Sequence, residues 1–362
     1  MVSKGHRLAS AVLAGVLLGE IIFFLVQSPV EDFWQHYIAG QALLAGIPVN
    51  QALAPIFGRL GYPYPMFTAL LLLPLSLLPP QCAFTAWVGL LYSAVGASAY
   101  LFATRIVGLQ PRAARTRTML CLVWPVTSVT VFMGQITPLV LVFMLTAYLL
   151  GRRRNPCLAG AVLCLALIKP HVVAPVAGGL LLRKQWRLLG TFALGALVLA
   201  AVSLCLGQGT SLDAWRSYAL GWILSGRSVM MPGQLKLLSI PWRLLLAACG
   251  YCGLSVWWFK KETVRLDDAA LAFLVGVLLS PYLPVYDLVL LVPVLVYLVD
   301  KGSALFWLGM TLSSVAPLLR GFEWLMTFSM LCFVLDLLRL QRAGRRSGRG
   351  GLRAETERFD NG

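Results

Sequence analysis

The segment of residues 152–187, RRRNPCLAGAVLCLALIKPHVVAPVAGGLLLRKQWR, decides how the whole chain is interpreted. It has a basic cluster at each end, two apolar runs, and a Lys-Pro-His triplet at 169–171 between those runs. Because cytoplasmic loops of membrane proteins are enriched in Lys and Arg, both basic ends are expected in the cytoplasm. The segment therefore predicts two short membrane helices that meet at a polar break on the outer side, where irregular backbone is tolerated around a cavity.

Along all 362 residues, the short segments that separate the apolar runs alternate between basic and weakly charged; these segments are called breaks below. Only 12% of the residues are charged and 59% are apolar, whereas a soluble domain is about 25% charged. The pattern predicts an all-α, polytopic membrane helix bundle of about twelve transmembrane helices, with both termini in the cytoplasm. The predicted spans are 8–27, 82–107, 118–133, 137–151, 155–169, 171–183, 188–206, 237–259, 268–281, 285–300, 304–319 and 322–340.

This topology predicts one transmembrane domain over residues 1–340. It has a long first outer loop at 28–81 and a second outer loop at 207–236. The apolar stretch 66–78 does not fit the alternation, so we expect a juxtamembrane or re-entrant helix on the outer side of the membrane. Residues 341–362 form a basic tail, expected to be disordered and to lie on anionic cytoplasmic lipid.

Several function classes are excluded by the same composition. The net charge of +16 comes from short clusters between apolar runs, without a basic face that carries aromatic residues, so we predict no nucleic-acid partner. The eight cysteines fall in or beside apolar segments, and the pair Cys249 and Cys252 has no second pair, so zinc or redox use is not expected. No nucleotide, zinc or hydrolase motif occurs, and we predict neither a metal nor a cofactor.

The outer breaks hold the polar residues that are costly to keep near lipid. The first outer loop carries paired acids, followed by aromatic residues and a histidine, and two further tyrosines: Glu31, Asp32, His36, Tyr62 and Tyr64. Such a pattern is also typical of an interfacial aromatic belt. The functional interpretation is a general base, because a carboxylate at the mouth of a membrane cavity can take a proton from an acceptor hydroxyl. Asp32 is the preferred base, and the other four are candidate substrate contacts.

Lys169 lies in an apolar setting, where a lysine costs about 2.5–3.5 kcal/mol on insertion scales. Snorkelling of its ammonium to the headgroups is one explanation. Binding of a donor phosphate is the other, because a lysine is a compact cationic partner for phosphate, and His171 is assigned to the same phosphate. Gln135, at the break of residues 134–137, is either a helix-end cap or a hydrogen-bond partner for a sugar or a backbone carbonyl.

Two later outer breaks contribute further candidates. Asp287 begins a predicted helix, where the helix dipole alone explains an acid, but nearby Tyr282 and two prolines favour a shaped pocket wall. Arg227 lies in the second outer loop, where outward cations need a partner such as a pyrophosphate or a phospholipid. We assign Tyr282 and Asp287 to substrate and Arg227 to the donor phosphate.

In this order, short motifs of the chain resemble those of glycosyltransferase family 87 (GT87, also DUF2029), a family of membrane enzymes with the GT-C fold. The matching pieces are Asp32, Tyr37-x-Ala39-Gly40, Gly46-x-Pro48, Tyr62-x-Tyr64-Pro65, Pro74-Leu75, Leu78-Pro79, Trp87, Gly134-Gln135, Ala159-Gly160, Ile168-Lys169-Pro170, Trp186-Arg187 and Ser280-Pro281. The chain departs from the pattern at Tyr286-Asp287, where many members carry histidines.

The resemblance implies an inverting hexosyl or pentosyl transferase that uses a polyprenyl-phosphate sugar, such as a mannose or arabinofuranose carrier. It implies that Asp32 matches the catalytic acid of the family, that Lys169 binds the departing phosphate, and that metal is not needed. The acceptor would be a glycolipid or polysaccharide hydroxyl on the outer face of the inner or plasma membrane, with membrane lipids as further partners. Two other hypotheses stay open: a lipid-linked sugar transporter or flippase, and a non-catalytic membrane assembly subunit.

Overall fold

The computed structural model describes residues 31–57, 62–207, 240–259, 266–279, 285–299, 301, 303–315 and 324–347. Every regular element in these ranges is helical, which confirms the all-α prediction. The chain divides into two compact units, Met1–Trp222 and Ile223–Gly362. Four predictions fall wholly or largely outside the described residues: the first span at 8–27, the second outer loop with Arg227, Tyr282, and the basic tail.

The first unit consists of ten described α-helices. They are α1 Glu31–Ala45, α2 Val49–Phe57, α3 Met66–Ser76, α4 Pro80–Leu101, α5 Pro111–Leu122, α6 Pro125–Phe132, α7 Thr137–Arg152, α8 Pro156–Leu165, α9 Pro170–Leu182 and α10 Trp186–Gly207. Phe102–Ile106 continues α4 as a π-helix, and Ala166–Ile168 continues α8 as a 3₁₀-helix. The predicted first outer loop is therefore largely helical where it is described, and its apolar stretch forms α3.

Proline begins half of these helices, because its fixed φ suits the first helical turn and its missing N–H is not needed there. The five are α4, α5, α6, α8 and α9. Pro125 also divides the predicted span 118–133: the preceding Trp124 is extended, with φ −64° and ψ 125°, so α5 ends before it and α6 begins after it.

Close backbone approaches hold the helices of the first unit together. Gly160 of α8 packs against α10, where a Cβ at this position would lie 2.5 Å from the Leu188 oxygen and 2.9 Å from the Phe192 nitrogen. Gly195 of α10 faces α8 in the same way, with the Cys164 sulfur 2.6 Å from its hypothetical Cβ. Small residues allow such approaches in membrane helix pairs, where van der Waals packing drives association.

Two described helices are long and apolar enough to cross a membrane: α4 with its π-helical extension, and α10. The helices α6 and α7 are bent by 115° at their break and would add a third span if they act as one. The side chains of α10 are mostly outward and apolar, and Leu197 is 69% exposed. These apolar helices indicate membrane association, while the twelve spans and the cytoplasmic termini stay predictions.

The second unit is also helical in its described residues. Its elements are α11 Ile240–Phe259, α12 Leu266–Leu279, a 3₁₀ segment Val285–Leu291, α13 Val292–Leu298, α14 Ala304–Val315 and α15 Trp324–Ser347. The fully buried Asp336 of α15 accepts hydrogen bonds from the Ser303 N–H at 3.1 Å and the Ser303 hydroxyl at 2.6 Å. Arg339 donates to the same carboxylate at 2.9 Å, so one acid fixes the start of α14 to α15.

Candidate active site

Three polar side chains from distant parts of the first unit form one hydrogen-bonded line. The Gln135 amide nitrogen donates to the Asp32 carboxylate, across 103 residues of sequence. The Lys169 ammonium donates to the Gln135 amide oxygen at 3.1 Å, across another 34 residues. An acid, a neutral amide and a cation that were predicted separately are thus brought together in one cluster.

The acid lies in the first turn of α1. Asp32 is half-buried there, and a carboxylate at a helix N-terminus is stabilised by the helix dipole. Behind it, the aromatic ring of Phe33 packs between Tyr37 and Phe84, with ring centroids 5.6 Å and 5.3 Å apart. This apolar packing fixes the helix turn from which the carboxylate projects.

The amide lies at the sharp bend between α6 and α7. Gly134 takes a left-handed conformation, with φ +69°, which a glycine adopts without steric cost. Its carbonyl accepts a hydrogen bond from the buried Trp87 indole at 3.1 Å, and the Gln135 N–H donates to the Thr130 oxygen at 3.0 Å. The backbone on both sides of the amide is therefore fixed, and Gln135 itself is 3% exposed.

The cation lies at the break between the 3₁₀ end of α8 and the start of α9. Lys169 is extended, with φ −122° and ψ 83°, because Pro170 disfavours the helical conformation for the residue before it. Its N–H still bonds the Ala166 oxygen at 3.1 Å, and its carbonyl accepts from Val172 at 3.0 Å. The side chain is 6% exposed, so its charge is held inside the protein rather than at the surface.

An aromatic cluster around His36 adjoins the lysine. The His36 ring lies 4.7 Å from the Tyr64 ring and 5.6 Å from the Trp87 ring, measured between centroids, and its Nδ1 is 2.9 Å from the Tyr62 hydroxyl. Burial, and secondly the charge of Lys169, lower the pKa of His36 to about 3. Burial also raises the pKa of Tyr62 well above its ordinary value. Both groups are therefore neutral at physiological pH.

The remaining predicted residues are placed as follows. Glu31 begins α1 next to Asp32, and His171 is exposed in the first turn of α9, two residues after Lys169. Asp287 is fully buried in the 3₁₀ segment of the second unit. Arg227 and Tyr282 lie outside the described residues.

The structure adds two residues to the surroundings of the site. The Trp87 indole donates a hydrogen bond to the Gly134 carbonyl, and the Asn50 side-chain oxygen accepts one from the Tyr62 N–H at 2.9 Å. Trp87 belongs to the motifs that resemble the family, but its apolar context gave no indication of a polar role. Asn50 and Gln51 are the two polar residues of the otherwise apolar α2, and that polar pair is the signal that would have pointed to Asn50.

An all-helical, apolar chain with a buried acid, amide and cation cluster defines a membrane-associated protein with a polar site held inside its helices. The sequence profile of glycosyltransferase family 87 matches residues 62–281, more than half of the chain. The protein therefore belongs to glycosyltransferase family 87. A comparison with curated proteins gave no match. The matched range includes Gln135 and Lys169, whereas Asp32 and His36 precede it.

Proposed function

We propose that the protein transfers a sugar from a polyprenyl-phosphate donor to a hydroxyl of a glycolipid or polysaccharide, with inversion at the anomeric carbon. The hydrogen-bonded line from Asp32 through Gln135 to Lys169 is the observation that supports this most. It joins a base and a phosphate-binding cation, the two groups that such a transfer needs, within one buried cluster. Family membership supports glycosyl transfer in general, and the line supports this particular division of roles.

In the proposed step, Asp32 takes the proton of the acceptor hydroxyl as that oxygen attacks the anomeric carbon. The bond between this carbon and the phosphate oxygen breaks at the same time, and its electron pair leaves with the polyprenyl phosphate. Lys169 stabilises the negative charge that develops on the phosphate, and His171 and Arg227 are proposed to share this role. A single displacement of this kind inverts the anomeric configuration. One carbon–oxygen bond forms and one breaks, so the step is complete without a cofactor or a metal.

The neutral aromatic cluster is proposed to bind the sugar. Burial keeps the His36 imidazole and the Tyr62 phenol uncharged over the physiological pH range. Neutral hydroxyl and imidazole groups beside aromatic rings suit a sugar, which presents hydroxyls and apolar C–H faces together. Tyr64 belongs to this cluster, and Glu31, Tyr282 and Asp287 are proposed as contacts to the acceptor or the sugar.

We place this reaction at the outer side of the inner or plasma membrane, in a multi-pass protein. The basis is the charge alternation. It predicts that the basic segments between apolar runs are cytoplasmic and that the segments with Asp32, Gln135 and Lys169 lie on the opposite side of the membrane. A lipid-linked donor is then reached from the bilayer and the acceptor from the aqueous phase. Membrane lipids are the remaining partners.

Purified protein in lipid nanodiscs, supplied with labelled polyprenyl-phosphate mannose or arabinofuranose and a glycolipid acceptor, tests the proposal. We expect transfer by the wild type, and a loss of about 10²–10⁴-fold in kcat for Asp32→Asn, the range of general base catalysis. Lys169→Met should instead weaken both donor affinity and turnover. The neighbouring acid gives the comparison: Glu31→Gln alters a proposed substrate contact but not the base, so its loss of kcat should be at least tenfold smaller than that of Asp32→Asn.

Full activity of Asp32→Asn would exclude the assigned base. A wild type that moves labelled lipid-linked sugar across proteoliposomes without any covalent product would replace the transferase by a transporter.

A further inference from the structure

The orientation of the Gln135 amide is determined by its two partners. Its NH₂ group faces the Asp32 carboxylate and its oxygen faces the Lys169 ammonium. An ionised carboxylate only accepts hydrogen bonds and an ammonium only donates them, so the reversed amide would set acceptor against acceptor and donor against donor. Only an uncharged group with a donor at one end and an acceptor at the other fits between these charges.

The backbone that carries this amide is equally constrained. Left-handed Gly134 creates the bend, the Trp87 indole holds its carbonyl, and the Gln135 N–H bonds back into α6. A glutamine side chain loses much rotamer freedom on burial. Hydrogen bonds to two charged groups, one at each end of the amide, offset this loss and hold the side chain in one conformation.

We propose that Gln135 is a positioning residue that fixes the Asp32 base and the Lys169 cation relative to each other. This rests on the proposed function, since it assigns Gln135 a place in that same reaction. It also replaces the sequence-based interpretation, in which the amide bonds the sugar or caps a helix. Gln135 acts through the two charged groups and binds neither the donor nor the acceptor itself.

The first consequence is a selective loss of turnover. Gln135→Leu keeps the volume of the side chain but removes both hydrogen bonds, so the acid and the cation lose their common partner. We expect kcat to fall about 10–100-fold, the effect of an ångström-scale misplacement of catalytic groups. The donor KM should change about threefold or less, because Lys169 itself is retained. Gln51→Leu, on the exposed face of α2, is the matched control and should keep both constants.

The second consequence is a change in the pH profile of Gln135→Glu. When ionised, the new carboxylate sets a negative charge against Asp32 and cannot donate to it. When protonated, it again has a donor at one end and an acceptor at the other, as the amide has. Because two adjacent carboxyls raise the pKa of one of them, the variant should recover activity as the pH falls, while the wild type loses it. A merely structural glutamine would not give this opposite slope.

A third measurement does not depend on sugar transfer. Thermal midpoints of Asp32→Asn, Lys169→Met and the double variant form a cycle that measures how strongly the two charged groups are coupled. With Gln135 present, the double variant should depart from additivity by about 2 °C or more. In a Gln135→Leu background the departure from additivity should shrink by half or more, to what direct charge attraction alone supplies.

These measurements separate the two proposals. A wild type without transfer activity overturns the proposed function, and the stability cycle still decides whether Gln135 couples the two groups. An active wild type whose charged groups are coupled as strongly in the Gln135→Leu background as with Gln135 present overturns the role of Gln135 alone. Equal pH slopes for Gln135→Glu and the wild type would overturn it as well.

Discussion

The contact between α8 and α10 gives a sharp prediction, because α8 leads directly into Lys169. A Cβ added at Gly160 would lie 2.5 Å from the Leu188 oxygen, whereas ordinary van der Waals contact begins at 3.4 Å. The Thr191 hydroxyl is also in the way, but the Leu188 oxygen and the Phe192 nitrogen are backbone atoms, which cannot turn away as a flexible side chain can. Gly160→Ala therefore requires the two helices to separate by about 1 Å.

Gly190→Ala is the matched control, on α10 itself. No described atom lies within 4 Å of a Cβ placed at Gly190. Both variants gain about 1 kcal/mol of helix propensity, so their difference isolates the steric cost. Overpacking costs about 1–3 kcal/mol, which corresponds to a separation of about 2–6 °C between the two thermal midpoints for a unit of 222 residues.

Thermal unfolding in detergent, followed by tryptophan fluorescence, measures this separation. The sugar-transfer assay gives a second measure, because an ångström-scale shift of a catalytic group costs up to about 10²-fold in rate. We expect Gly160→Ala to be both less stable and less active than Gly190→Ala. Equal midpoints for the two variants would refute the close approach of α8 and α10.

Two further predictions concern single buried groups. The pKa of His36 is lowered to about 3, below its ordinary 6.5, so the folded state resists a proton that the unfolded chain accepts. Stability should therefore fall as the pH drops from about 6.5 towards 3, by up to about 1.4 kcal/mol per unit, and thermal midpoints of His36→Phe should lack this contribution. In the second unit, Asp336→Ala should cost about 1–3 kcal/mol, because it leaves both part-buried Ser303 donors without their carboxylate, while the half-exposed Arg339 side chain is solvated. Denaturation with and without a compensating Arg339→Met tests it, and an unchanged midpoint would contradict it.

The positions of the helices were predictable because the signals for them are local. Apolar runs that end at proline or at charged clusters gave 137–151 and 171–183, and the structure has helices Thr137–Arg152 and Pro170–Leu182. The division of the predicted span 118–133 was missed. The average hydrophobicity of a segment does not show that Pro125 forces Trp124 out of the helical conformation. Helix existence follows from composition, while helix breaks follow from single residues.

The candidate site was predictable only in parts. Asp32 and Lys169 stood out individually, since a charge in an apolar setting needs a reason. Their connection through Gln135 was not predictable, because it depends on how helices 103 and 34 residues apart pack against each other. The same holds for His36 in α1 and Tyr62, which lies in the non-helical residues before α3. The sequence identifies the polar side chains, but the packing of the helices determines which of them come into contact.

This packing also bears on the choice between an enzyme and a carrier. A transporter moves one helix bundle against another around a fixed site. Here the helix that bears Asp32 meets Ser76 of α3 at Gly40, where a Cβ would lie 2.9 Å from the Ser76 Cβ. The helix that leads to Lys169 meets α10 at Gly160, equally close. Sliding the first pair would drive α1 against the Ser76 side chain, and sliding the second would drive backbone against backbone, whereas a transferase needs these groups held still. The close contacts that make Gly160 sensitive to a single methyl group thus favour sugar transfer over sugar transport.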